Sequence, residues 1–260
     1  MKIIKIPLNV GAMKKKEGIE IGPDKIEEKI KNYYLKEAGI LPIYEFSKVI
    51  VNNSDIDESN KNIEKKASEL DEPAIFLGGD HSITYSTFKG FLKNNPEAGI
   101  LIFDAHLDCV NNFSPPTHED YLRTLIEEKY IKTENVVLIG IRNIDPVELE
   151  FSKKNKLKIF SMDEISKDGI NDVMDSVMSV VRKFKKLYVS VDIDVLDPAF
   201  APGTGYCEPG GLSTRELIYC IQKLKLLKNI GMWDLVEVNP KKDINDLTVS
   251  AAAKLLIEMC

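Results

Sequence analysis

A chain of 260 residues with 43% apolar side chains can build one large α/β domain, and no apolar run approaches the ~20 residues of a membrane span. A formal charge of −6 and a pI near 5.3 argue against nucleic acid as a partner and suit a small cationic ligand. The start, Met1-Lys2-Ile3-Ile4-Lys5-Ile6-Pro7, lacks the long apolar region of a signal peptide, and Cys109, Cys207, Cys220 and Cys260 form no CxxC pair. A cytoplasmic protein with free thiols and no membrane partner is expected.

In chain order, the pattern predicts a strand at 3–6, a loop holding Gly18, Gly22 and Pro23, and a helix over 24–35 with acidic residues near its positive end. A short strand at 48–51, a polar stretch over 52–60 and a helix over 63–70 follow. A third strand at 74–77 ends in Gly78-Gly79-Asp80-His81-Ser82, which places His81 on a turn into a helix over 83–92. The fourth strand, from residue 99, leads into Asp104-Ala105-His106-Leu107-Asp108. Thr117 is expected to cap a helix over 118–129. Residues 136–141 form a fifth strand, and Asp145-Pro146 reads as a cap with proline at the first helical position. A sixth strand at 158–160, a helix over 170–184 and a seventh strand at 187–192 come next. After a Gly/Pro-rich loop over 198–211, Ser213 or Thr214 caps a helix to about 227. An eighth strand at 231–238 and a helix over 247–259 close the chain. Eight apolar strands alternating with helices imply parallel connections and a sheet covered on both faces. One domain, 1–260, is expected. At this length a (β/α)₈ barrel competes with an open sheet.

Polar residues gather where the strands end, which is where ligands bind in such folds. Asp80 and His81 follow strand three; Asp104, His106 and Asp108 follow strand four. Asp192, Asp194 and Asp197 end strand seven, and Glu237-Val238-Asn239-Pro240 ends strand eight. If strand four continued, its period of two would turn Asp104, His106 and Asp108 to one side. Carboxylates and neutral imidazoles suit manganese, iron or zinc. Two histidines and four aspartates are too many for one small site, yet they suit two ions that share carboxylates, which points to metal-assisted hydrolysis.

These motifs resemble those of the arginase/agmatinase (ureohydrolase) family over nearly the whole chain. They include Gly22-Pro23, Gly-Gly-Asp-His-Ser at 78–82, Asp-Ala-His-Leu-Asp at 104–108, Gly-Ile-Arg at 140–142, Ser-Val-Asp-Ile-Asp-Val-Leu-Asp-Pro at 190–198, Ala-Pro-Gly-Thr-Gly at 201–205 and Glu-Val-Asn-Pro at 237–240. The resemblance implies a three-layer α/β/α fold with an eight-stranded, mostly parallel sheet, and two Mn2+ per chain. His81, Asp104, Asp108 and Asp192 look like the ligands of one ion; His106, Asp104, Asp192 and Asp194 look like those of the other. The mechanism it implies is attack of a metal-bridging hydroxide on a guanidinium carbon, which releases urea and leaves an amine. Asp108 would orient the hydroxide and pass its proton on. Glu237 would anchor the guanidinium, His118 would shuttle protons, and Thr204 would join these two in contacting substrate. The resemblance also implies a homo-oligomer, a trimer or hexamer.

The ten positions from Asp108 to His118 match agmatinases rather than arginases, as does the run Ala201 to Glu216, so agmatine is the expected substrate. Arginine, guanidinobutyrate and formimidoylglutamate are the alternatives, and the presence of His118 counts against the last. Asn111, Asn112 and Ser114 offer a polar head group partners. Tyr206-Cys207 departs from the Thr-Pro usual in the family. A catalytically silent homologue is the alternative of another class; such a relative would be expected to lose a ligand or the shuttle, and neither is lost.

Overall fold

The computed structural model of the protein describes residues 1–13, 17–71 and 73–260. Their strands are β1 (Lys2–Ile6), β2 (Glu45–Lys48), β3 (Ala74–Gly78), β4 (Gly99–Phe103), β5 (Val136–Ile141), β6 (Lys158–Ser161), β7 (Leu187–Asp192) and β8 (Ile230–Val236). They make one open sheet in the order β2-β1-β3-β8-β7-β4-β5-β6, with every paired neighbour parallel. Parallel neighbours require crossovers, and the crossover helices cover both faces. The result is the expected three-layer α/β/α arrangement; the edge strands β2 and β6 do not meet, which rules out the barrel.

Alternation along the strands divides the core into two layers. Leu101, Phe103, Val189 and Trp233 pack beneath α1 (Gly22–Ile30), α7 (Ile170–Val181), α8 (Thr214–Leu224) and α9 (Leu247–Met259). Ile100, Ile102, Leu138 and Tyr188 pack beneath α2 (Ile56–Ser68), α3 (Ile83–Asn94), α4 (Tyr121–Glu127) and α5 (Pro146–Asn155).

Several expected boundaries move. The helix expected over 24–35 ends at Ile30, and α2 begins at Ile56, where the Asp55 side chain caps Glu58 N–H at 3.0 Å. The second strand lies at Glu45–Lys48 rather than 48–51. As an edge strand it is bonded on one side only, so its register with β1 fixes it without an apolar run. Strand eight ends at Val236, because Glu237 turns away with φ 65°. A helix α6 (Met162–Asp168), capped by Ser161, was not anticipated. Thr117 does not cap a helix over 118–129: α4 starts at Tyr121, and Asp120 accepts hydrogen bonds from the N–H groups of Thr117 and Phe113, tying up the loop before the helix.

The four central strands β3, β8, β7 and β4 are neighbours, and their carboxyl ends share one edge. The polar motifs of the sequence all converge there.

Candidate metal centre

Strand β4 stops at Phe103, so the alternation of Asp104, His106 and Asp108 is not strand geometry. The N–H groups of Ala105 and His106 donate to the carboxylates of Asp194 (3.2 Å) and Asp104 (2.7 Å) rather than to a neighbouring strand. Asp108 then takes a left-handed backbone, φ 52°. This turn, rather than a period of two, brings the three side chains together.

His81 is held at the end of β3 by close backbone packing. A Cβ on Gly79 would stand 1.8 Å from the Leu8 carbonyl oxygen, and one on Gly11 would stand 2.0 Å from Ser82 Oγ. Only glycine allows that approach. Through it Asp80 accepts the Gly11 N–H at 3.1 Å, and the Gly11 carbonyl accepts the His118 N–H at 3.1 Å. Asp80 therefore fastens the His118 loop to the metal motif. Burial and the Glu237 charge push Asp80 up to about 6.

Two clusters result. His81 Nδ1 lies 3.1 Å from Asp108 Oδ2, 3.2 Å from Asp104 Oδ2 and 3.2 Å from Asp192 Oδ2. His106 Nδ1 lies 3.2 Å from Asp194 Oδ2 and 3.4 Å from Asp104 Oδ1. Asp104 thus turns one oxygen to each cluster. His81-Asp104-Asp192 and Asp104-His106-Asp194 each converge as a cation site would.

A metal fits this arrangement. His81 Nδ1 and Asp104 Oδ2 are buried without a hydrogen-bond partner, and such atoms are costly unless something satisfies them. Adjacent ligands of an octahedral ion bonded at about 2.1 Å stand roughly 3 Å apart, close to the spacing around His81 Nδ1. The charges agree with this. Burial and the Asp104 carboxylate push Asp108 up to about 7, and burial and Asp194 push Asp192 well above the usual range. Burial opposes the Asp104 charge too, but the imidazoles of His106 and His81 beside it hold its carboxyl below the usual range. Each buried ion costs several kcal/mol unless paired, and divalent cations supply the missing charge.

The clusters form part of the wall of a cavity of about 460 Å³. Its lining includes Asp108, Glu119, Asp145, Glu148, Asp192, Asp194, Glu208 and Glu237, and among the described residues no lysine or arginine. Glu237 accepts the His81 N–H at 2.9 Å, and its carboxylate lies 3.3 Å from His118 Nδ1. His118 sits before α4, not in its first turn, and is only 4% exposed. Thr204 is buried but does not line the cavity. Tyr206 does: its ring lies parallel to His118 with centroids 6.1 Å apart, and its hydroxyl donates to Glu119 at 2.5 Å.

Sequence reasoning gave no role to Glu119, Glu208, Asn143, Tyr121 or Asp234. Glu208 Oε1 is 3.2 Å from His106 Nε2 and accepts from Asn143 Nδ2 at 3.0 Å. A charged residue inside the apolar run Met232-Trp233-Asp234-Leu235-Val236 was the visible signal for Asp234.

Comparison with known proteins agrees with this geometry. The model of the family described as "Arginase family" matches residues 1–260. Formimidoylglutamase from Bacillus subtilis (strain 168) is 30% identical over 270 residues, covering 98% of this chain and 84% of the relative. Arginase from Staphylococcus aureus (strain COL) is 34% identical over 223 residues, covering 79% and 74%. The crystal structure of formimidoylglutamase from Bacillus subtilis subsp. subtilis str. 168 superposes with a TM-score of 0.93 at 29% identity, covering 99% of this chain and 85% of that one. The chain belongs to the arginase family.

Proposed function

We propose that the protein is a two-metal amidinohydrolase whose substrate is agmatine, cleaved to urea and putrescine. The observation that carries the substrate assignment is the cavity wall. Agmatine has a guanidinium at one end and an ammonium at the other, and the described lining offers carboxylates to both ends with no lysine or arginine to repel them. Arginine, guanidinobutyrate and formimidoylglutamate each carry a carboxylate that this wall would repel. Manganese is the proposed metal, since the donors are mainly carboxylate oxygens with one imidazole at each cluster.

When bound, such a metal pair supplies the Lewis acidity that makes water a nucleophile near neutral pH. The protein's own groups do the rest. Glu237, fixed by the His81 N–H, accepts the planar N–H array of the guanidinium and presents its carbon to the clusters. Asp108, beside His81, accepts the proton of the attacking water and returns it to the departing nitrogen. His118, with Nδ1 toward Glu237 and Nε2 3.7 Å from Glu119, carries protons between the leaving amine and the cavity. Tyr206 packs beside it and limits the room around the reacting end.

A formimidoylglutamate hydrolase is the second reading, favoured by the similarity to the Bacillus subtilis protein of that name. A manganese-loaded assay on agmatine, arginine, guanidinobutyrate and formimidoylglutamate decides. The highest kcat/KM on agmatine, with urea released, is expected. A higher value on formimidoylglutamate, with formamide released, would overturn the assignment.

A further inference from the structure

We propose that Ser190 and Asp234 are positioning residues that hold His81 in the one protonated form able to bind a cation. This rests on the metal-binding reading of the site, but not on the choice of agmatine.

His81 is 1% exposed and its ring packs on Tyr121, with centroids 4.6 Å apart. Its Nδ1 faces Asp104, Asp108 and Asp192, while its Nε2 lies 2.8 Å from Ser190 Oγ and 3.1 Å from the Tyr121 hydroxyl. Ser190 Oγ in turn donates to Asp234 Oδ1 at 2.6 Å. Thr84 Oγ1 and the Tyr188 hydroxyl each donate to Asp234 Oδ2 at 2.7 Å.

Proton counting then fixes the direction of the whole chain. An ionised carboxylate has no hydrogen to give, so all three hydroxyls donate to Asp234. A serine has one hydroxyl hydrogen, and Asp234 takes it. Ser190 therefore meets His81 only with a lone pair, and the 2.8 Å contact, shorter than the 3.1 Å one to the Tyr121 hydroxyl, is a hydrogen bond only when the imidazole hydrogen sits on Nε2. Nδ1 is left bare and aimed at the carboxylate cluster, as a metal ligand must be.

The sheet makes this relay rigid. The register of β7 with β8 sets Ser190 opposite Asp234, and the period of two places Tyr188, Ser190 and Asp192 on the same face of β7. Asp234 is fully buried in a layer otherwise filled by side chains such as Phe88, Phe91 and Met232. A carboxylate there is costly, and an apolar residue would pack without that cost. Orienting a metal ligand gives its presence a physical reason.

The test compares the wild-type protein with Ser190→Ala, which breaks the relay. Thr84→Val is the control: it removes another hydrogen bond to Asp234 and leaves both the His81 imidazole contacts and the backbone bond from Thr84 N–H to the His81 carbonyl in place. Manganese bound per chain is measured by equilibrium dialysis on folded protein. Expected are two ions for wild type and Thr84→Val, while Ser190→Ala keeps one at near wild-type affinity and binds the other ~10–100-fold more weakly. Two tightly held ions in Ser190→Ala, equal weakening of both, or the same loss in Thr84→Val would overturn the proposal. A wild type that binds no ion would instead sink the metal reading beneath it. Should Ser190→Ala not fold, Ser190→Cys, which keeps the shape but is a weaker acceptor, takes its place with the same readout: selective weakening of one ion supports the relay, and two tightly held ions overturn it.

Discussion

The two candidate cation positions use the same ligand chemistry and are built in opposite ways. The His81 position is set into the sheet: its imidazole is 1% exposed and is backed by a hydroxyl on β7 and a carboxylate on β8. The His106 position belongs to loops. His106 is 18% exposed and lines the cavity, and its Nε2 is backed by Glu208, from the loop between β7 and α8. That loop is itself held by Arg142, whose guanidinium donates to the carbonyls of Asp194, Leu196 and Glu208. A ligand backed by strand residues is held by sheet register, whereas one backed from a loop depends on side chains that also meet solvent and substrate. The deep position is therefore the more rigid of the two, and the outer one the more exchangeable.

Breaking what the two positions share should have the largest effect. Asp104 sends one oxygen to each, so Asp104→Asn should lower kcat/KM on the order of 10⁴-fold, the several kcal/mol that metal-ion charge stabilisation contributes. The bound-metal count should fall at both positions; a full complement of two ions in a folded Asp104→Asn protein would argue against a shared carboxylate.

Removing only the outer support sharpens the contrast. Glu208→Ala should weaken one ion by ~10-fold or more, as loss of an orienting partner does, and leave the other tightly held. Because that ion is the outer one, it should also leave first when wild-type protein is treated briefly with a chelator. Early loss of the His81 ion, located by anomalous scattering, would reverse the comparison.

The smallest effect belongs to an ion-pair group that neither cation position uses. Lys5 bonds Asp24 at 2.6 Å and also contacts Glu27. Burial works against the Lys5 charge, but these two carboxylates hold its pKa above the ordinary value, and Lys5 in turn holds Asp24 below its own. The Asp24 contribution is present above the unfolded pKa of 3.8 and is lost as pH falls through the lowered folded value. The Lys5 contribution is present below 10.5 and is lost as pH rises through the raised folded value. Lys5→Gln should therefore cost under ~1 kcal/mol at neutral pH, with the deficit vanishing in strong acid, as denaturant titrations at several pH values would read. Metal binding should be unchanged; a loss of bound metal would tie this pair to the site.

What could be read in advance follows from where the information lies. The strands at 136–141 and 187–192 were legible because burial on both faces demands an unbroken apolar run, and Asp145-Pro146 because a capping box is local chemistry. β2 was not, since an edge strand can be polar and its place is set by pairing with β1. The side chains of the two candidate clusters could be named from their motifs, but the turn that gathers Asp104, His106 and Asp108 could not, because it depends on the Asp194 carboxylate 89 residues from Ala105. Asp234, a charge in an apolar strand, carried a signal that the sequence reading passed over, and its partnership with Ser190 exists only through the register of β7 against β8. Tyr206 was visible as a departure; its contact with Glu119, 87 residues away, was not.

The most direct test is crystallography of manganese-soaked protein with anomalous scattering at the manganese edge. Two peaks are expected, one among His81, Asp104, Asp108 and Asp192 and the other among His106, Asp104 and Asp194, close enough for Asp104 to touch both. A single peak, or ions bound only elsewhere, would contradict the two-metal centre.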